Sequence, residues 1–505
     1  MTPAAPPPDH TLRARRLGLI TQDEPVVLVR ADSYVGRAEG VAPRSQVLVT
    51  SRKGAVTATL YHVTSDLLGP MEIGLSEAAW RRLCVEDGDE LAVCHPPPLE
   101  SLTGLRRRIF GERLSERGYA ALVGDIVAGR YTDAHLAAFI AASAAFPLDL
   151  TETTHLTNAM VNSGQRISWS RPLVIDKHCV GGLPGNRTSP IVVAIAAAAG
   201  LIIPKTSSRA ITSPAGTADV MEVLMKVDLD IPHVRKVVEA EGGCLVWGGR
   251  MELSPADEVL ARMGRMLEMD VEGQLVASIL SKKVAAGATH VVIDIPVGPT
   301  AKVRTPAAAA SLIERLVAVG RALDLEVRCL VSDGLQPVGR GIGPALEARD
   351  VLAVLGREPD APTDLRERAL AVAGLVLELG RVASGGGGVQ LARTILDDGR
   401  ALKKFERIRR AQGGVRAPTD APLRRDWPAP TSGALVHINN RKLARVAKLA
   451  GAPDVKAAGL VRHVSLGASV VAGEPLMTVH SAAEGELQYA LDYARANPDI
   501  FGIET

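Results

Sequence analysis

The stretch from 172 to 207 constrains this chain more than any other: "PLVID", a glycine-rich loop, "PIVVAIAAAAG" and "LIIPKTS" follow one another without interruption. Two apolar runs of strand length flank one of helix length, and a parallel sheet is what buries both faces of such strands. Strand, loop, helix and strand in that order make a βαβ unit, so an α/β domain with a mostly parallel sheet is expected. The same texture resumes with "THVVIDIPVG", "LEVRCLVSDG" and a long helix near 364–380.

A chain of 505 residues exceeds what one hydrophobic core fills and divides into roughly three or four domains. After about ten residues expected to be disordered, positions 17–94 alternate β-type runs ("EPVVLVR", "SQVLVTS", "AVTATLYHV", "DELAVC") with turn residues, giving a small β-rich domain. "HPPPLES" then reads as a linker. From there to about 168 apolar residues recur at helical spacing, and the helical texture returns over 254–287, where Ser254 is placed to cap and Pro255 to occupy the first turn. "APLRRDWPAP" reads as a second linker, and the last ninety residues as a compact α+β domain.

The 58 basic residues nearly cancel the 56 acidic ones and form no stripe, which argues against nucleic acid or membrane as partner. Five cysteines (Cys84, Cys94, Cys179, Cys244, Cys329) without CxxC spacing argue against a disulfide framework or a metal site, and no cofactor is expected. The N-terminus lacks the apolar core of a signal peptide, so a cytoplasmic protein is expected.

Two loops carry chemistry. "DKHCVGGLPGNRTSP" (176–190) runs from a strand into a helix; Gly181, Gly182 and Gly185 let the backbone approach a ligand, and the helix start offers free N–H groups, so the loop is an anion site with Lys177 as a mobile cation. Thr188 or Ser189 is placed to cap that helix. Asn186 and Arg187 follow Gly185 where a nucleotide-hydrolysing P-loop needs lysine, which excludes that reading. "TSSRAITSPAGTAD" (206–219) follows the next strand with hydroxyls and Arg209. Loops at the same end of adjacent parallel strands converge on one crevice.

These segments, with "LTNAMVNSGQ", "SPADEVL", "ASILSKK", "QPVGRGIGPALE" and "ASGGGGVQLARTIL", resemble the thymidine/pyrimidine-nucleoside phosphorylases over about residues 98–490. "GGLPGNRTSP", "KTSSRAITS" and the extra N-terminal domain look closest to the AMP phosphorylase-like branch. The fold class so implied is α/β multidomain: an N-terminal β-rich domain (1–94), a helical domain in two segments (98–168 and 253–286), a large mostly parallel α/β phosphate-binding domain in two segments (169–252 and 287–412), and a C-terminal α+β domain (413–505). The resemblance also implies at least a homodimer.

By the same resemblance, Lys177, Gly182, Ser189, Ser208, Arg209, Ala210, Ile211, Thr212, Ser213, Thr217 and Lys302 would hold phosphate or the nucleotide, and Ser278, Lys282 and Arg262 the base. Asp270 and His178 are alternative general acids; read alone, Asp270 would cap the following helix and His178 would be a surface loop residue. Cys179 stands where the thymidine enzymes usually carry a serine, and a thiol is the weaker hydrogen-bond donor. The implied reaction is phosphorolysis, in which phosphate as co-substrate cleaves the glycosidic bond of a nucleoside 5′-monophosphate or nucleoside to free base and a pentose 1-phosphate. Arg209 with Lys302 would make a second anion site for a 5′-phosphate, while thymidine or uridine is the alternative substrate. A magnesium-dependent phosphoribosyltransferase is a third reading, disfavoured because no acidic pair sits in these loops.

Overall fold

The structure is a computed structural model describing residues 11–21, 24–38, 41–210 and 213–504. The expected disorder of the first ten residues lies outside that range. Among the described residues, those up to 106 together with 124–136 form one compact unit, and 107–123 with 137 onwards the other.

In the first unit, β1 (Thr11–Leu19), β2 (Val26–Arg30), β3 (Gln46–Thr50), β4 (Ala55–Val63), β5 (Glu72–Ser76), helix α1 (Glu77–Leu83) and β6 (Glu90–Cys94) build a small barrel. The strands close in the order β1-β5-β2-β4-β3-β6 around Leu12, Val27, Val47, Leu60, Ile73 and Leu91. The sequence texture does not reveal β1, because Arg13, Arg15 and Arg16 crowd it; Leu12 and Ala14 nevertheless point inward, while Arg15 and Arg16 pair with Glu72 and Glu77.

Helices α2 (Ser101–Ile109), α3 (Glu116–Val127), α4 (Asp133–Ala145) and α5 (Leu150–Asn162) precede the α/β region. There the order is β7 (Ile175–Cys179), α6 (Thr188–Ala198), β8 (Ile203–Ser207), α7 (Thr217–Leu224), α8 (Ile231–Glu241) and β9 (Gly243–Trp247). Helices α9 (Pro255–Met266) and α10 (Glu272–Ala285) interrupt it, and β10 (His290–Val297), α11 (Pro306–Ala322), β11 (Glu326–Asp333), β12 (Gly341–Ile342), α12 (Pro344–Gly356), α13 (Thr363–Leu379), α14 (Gly388–Asp397) and α15 (Arg400–Ala411) complete it. The interrupting segment packs through α10 on α5 and ties to the residues flanking it: Gln165 N–H donates to Glu252 O, Ile167 N–H to Ala285 O, and Leu148 stands against Gly273.

Strands β11-β10-β7 form a parallel sheet and β8-β9 a parallel pair beside it, joined by Ile175 N–H donating to Ile202 O at 2.9 Å. All carboxyl ends face the two loops. The first strand sits three residues later than its apolar run suggests. Asp176, Lys177 and His178 therefore ride on β7, paired with β10, rather than in the glycine loop. This is possible because Asp176 and Lys177 find buried charged and hydroxyl partners.

The last segment holds β13 (Leu423–Pro428), β14 (Gly433–Ile438), α16 (Asn440–Leu449), β15 (Gly459–Arg462), β16 (Ser469–Val470), β17 (Pro475–Ser481), α17 (Glu484–Ala496) and β18 (Phe501–Glu504). Its main sheet, β12-β15-β17-β13, borrows β12 from the α/β region. The expected linker at 421–430 is in fact strand β13, paired antiparallel with β17; its prolines bound the strand, and Trp427 packs on the local core. Among the described residues no helix is long and apolar enough to cross a membrane.

Candidate active site

The carboxyl ends of β7 and β8 carry opposite charges on both faces of the sheet. Side chains alternate along a strand, so Lys177 and Cys179 share one face of β7 while Asp176 and His178 share the other. Lys177 is fully buried, not mobile: its Nζ donates to Thr188 Oγ1 (2.6 Å) and Ser189 Oγ (3.3 Å) at the start of α6. Those hydroxyls thus serve Lys177 and do not cap the helix; Arg187 occupies the N-cap with no side-chain bond to the helix, and since Thr188 N–H donates to Asn186 O and Pro190 has no N–H, Ser189 N–H is the first-turn amide left for an anion. Burial lowers the pKa of Lys177, and Asp294 opposes the shift.

Gly181 and Gly182 both take φ near +90°, where side chains are strained. A Cβ on Gly182 would stand 2.2 Å from Lys302 N, so this glycine is what lets the 298–303 loop close onto the first loop. Below it, Asn186, itself left-handed at φ 54°, donates to Cys179 Sγ (3.3 Å) and Asp294 Oδ2 (3.4 Å), and Ser332 donates to Asp294 Oδ1 (2.5 Å). Burial, with Asp294 beside it, pushes the Cys179 thiol up to about 12, so it is neutral and no nucleophile.

On the opposite face, Lys283 Nζ donates to Asp176 Oδ2 at 2.6 Å, and Lys205 Nζ lies 3.6 Å from Asp176 Oδ1. All three are at most 5% exposed. His178 is half-buried and belongs to this set rather than to a surface loop. Burial first, then Lys283, Lys205, Lys282 and Lys177, hold its pKa well below the usual imidazole range, so it stays neutral at pH 7.

The second loop is braced from within. Arg209 forks onto Glu222 (2.7 and 2.8 Å), reaches Asp219 (3.3 Å) and stacks on Trp247 at 4.9 Å, while Lys456 from the C-terminal segment also pairs with Glu222. The expected pairing of Arg209 with Lys302 as one anion site is not what the structure shows: Arg209 is neutralised by its own carboxylates. Ala210 N–H donates to Asp219, Ser213 Oγ donates to Ala215 O, and Ser208 is exposed. Ile211 and Thr212 lie outside the described residues. Arg187 ties both loops together, donating to Thr217 Oγ1 and Ala215 O (2.8 Å each) and to buried Glu347 (2.6 and 2.8 Å).

Lys302 pairs with Asp270 at 3.0 Å, bringing two expected site residues together. Asp270 does not cap α10, whose N-cap is Val271; its side chain is 59% exposed. Lys282 donates to Asp257 (2.8 Å) and Ser278 (3.2 Å), so that pair shares a face of α10 as their spacing predicts, and Arg262 lies half-buried on α9. Ser254, expected to cap α9, instead bonds Ser281. Sequence reasoning passed over Lys205, Lys283, Asp294, Arg187 and Glu347. A lysine inside the apolar run "LIIPKTS" was the available signal for the first.

Three domain families match in order: the helical bundle domain of a glycosyl transferase family at 103–164, its a/b domain at 171–402, and the pyrimidine nucleoside phosphorylase C-terminal domain at 434–501. A protein of Chelativorans sp. named "Putative thymidine phosphorylase" is 59% identical over 99% of this chain and 98% of its own length. The chain belongs to the thymidine/pyrimidine-nucleoside phosphorylase family. Same-named relatives from Tolumonas auensis and Parvibaculum lavamentivorans are each 57% identical over the whole chain and 99% of their own length. Anthranilate phosphoribosyltransferase from Thermus thermophilus shares the fold alone, with TM-score 0.53 and 19% identity over 61% of this chain and 99% of its own. As a phosphorylase of this family the protein is a pentosyltransferase, and the expected α/β architecture with helical and C-terminal domains is what the family models and the fold give.

Proposed function

We propose that the enzyme phosphorolyses the N-glycosidic bond of a nucleoside 5′-monophosphate, in the manner of the AMP phosphorylase-like branch, releasing free base and ribose 1,5-bisphosphate. Phosphate sits at the start of α6 over Lys177; one of its oxygens attacks C1′ while the C1′–N bond breaks and its electron pair leaves with the base. A positive carbon develops against the held anion, and the departing base takes a proton. The observation that carries the nucleotide reading is Lys302, a cation beside the glycine loop and separate from Lys177, whose partner is the exposed Asp270. Such an exposed pair contributes about 0–1 kcal/mol, so a dianionic 5′-phosphate displaces the carboxylate readily. Asp270, released from Lys302, is then the group assigned to deliver the proton to the departing base. His178, held neutral, orients the base by hydrogen bonding. Ser278, Lys282 and Arg262 line the base side.

A second reading, cleavage of thymidine or uridine, is favoured by the spent charge of Arg209 and by the names its relatives carry. The deciding experiment measures free-base release from AMP, CMP, UMP, thymidine and uridine, with and without phosphate and magnesium, for wild type and Lys302→Ala. Phosphate-dependent release from the monophosphates, cut at least tenfold in the variant through KM, is expected. Release from nucleosides only, indifferent to Lys302, would overturn the nucleotide reading; strict dependence on magnesium and diphosphate would overturn phosphorolysis itself.

A further inference from the structure

Lys205 is absent from the phosphate and base contacts described above, yet it is the least expected charge in the molecule: an ammonium at 5% exposure inside the apolar strand β8. Its Nζ donates to Thr206 O at 2.5 Å and shares the single carboxylate of Asp176 with Lys283. Three buried ammonium groups (Lys177, Lys205, Lys283) stand against Asp176 and Asp294 around β7 and β8, the other buried carboxylates nearby, Glu347, Asp219 and Asp257, being paired with Arg187, Arg209 and Lys282. One positive charge is left without a buried counterion. Two residues further along the same face of β8, Ser207 Oγ is buried and has no hydrogen-bond partner among the described residues. A surplus cation below and an unused hydroxyl at the strand end both call for an anion at the mouth of the crevice.

We propose that Lys205 is a positioning residue for the phosphate co-substrate: through Asp176 it supplies the excess positive charge beneath the crevice, and its protonation state sets how tightly the anion is held. The proposal rests on the phosphorolysis reading and goes beyond it in naming a group that tunes it. Facing Lys205 are Asp176, Lys177 and His178 from β7, Cys244 from β9 and Lys283 from α10. Cys244 is held neutral by burial, and His178 by burial and the surrounding lysines, so neither supplies a compensating charge. Burial lowers the Lys205 pKa to about 7, against the pull of Asp176. The surplus charge is thus lost progressively as pH rises through the neutral range.

The test uses the full-length enzyme. Sulfate stays dianionic from pH 6 to 8.5, so its inhibition constant against phosphate reports the site's charge and not the ligand's. It should weaken about tenfold over that range in wild type, as expected for loss of one nearby buried charge. In Lys205→Met the constant should be weak and flat, and the ratio of phosphate KM between variant and wild type should fall from about ten at pH 6 to about one at pH 8.5. Because phosphate's own ionisation is common to both enzymes, the ratio removes it. A ratio that does not change with pH would reduce Lys205 to packing, and a flat sulfate profile in wild type overturns the proposal even where Lys205→Met fails to fold. Base release that needs no phosphate would sink the functional reading instead, and sulfate binding followed by calorimetry would still judge Lys205.

Discussion

The two expected acids differ in what surrounds them, and that difference predicts their roles. His178 lies among four lysines that keep it uncharged, so it has no imidazolium proton to give at neutral pH. Asp270 is exposed and held by one ammonium that a ligand can draw away. Asp270→Asn should therefore lower kcat by roughly 10²–10⁴ with little change in KM, the usual contribution of a positioned acid. His178→Gln, which keeps a hydrogen-bonding side chain, should act mainly on KM for the base-bearing substrate, by about tenfold or less. Steady-state kinetics on the two variants checks this. A kcat collapse in His178→Gln with Asp270→Asn near wild type would reverse the assignment.

Between elements, the strongest joint is Arg187, which links the start of α6 to the second loop and to α12. Removing one partner of a buried pair leaves the other charge uncompensated, which typically costs about 3–5 kcal/mol. Arg187→Ala should lose about that much by urea unfolding, and Arg187→Ala/Glu347→Leu should lose clearly less than the sum of its single changes; additive losses would mean that no such joint exists. Neither residue was legible from sequence, since they are 160 positions apart. Separation in sequence likewise hid Lys283 beside Asp176, 107 positions away, whereas the order of strands and helices was legible because apolar runs report burial locally. Where local signals misled, polar residues had been placed on strands. Arginines masked β1, prolines disguised β13, and "DKH" read as loop although β10 pairs with it along its length. Lys282 and Ser278 were legible for the converse reason: their partnership is a helical spacing of four.

Across the larger unit, the C-terminal segment is fastened to the α/β region by β12, by Lys456 on Asp219 and Glu222, and by Arg349 of α12 on Asp420. His480 of β17 sits at this seam, 6% exposed, with its Nδ1 lacking a partner among the described residues. Burial, then Arg424 and Arg349, lower its pKa to about 4. The folded protein thus refuses a proton that the unfolded chain accepts from about pH 6.5 downward. Because the unfolded state binds the extra proton between those values, stability falls as pH drops from about 6.5 to 4 and is not lost further by this group below 4. The full effect is about 3 kcal/mol, drawn from the seam that holds the C-terminal segment in place. Urea unfolding of wild type and His480→Asn at pH 7.5 and 4.5 should show the variant losing correspondingly less over the acid step, although it is no more stable at pH 7.5. Equal acid losses in the two proteins would assign the seam's acid sensitivity to other groups and leave His480 a packing residue.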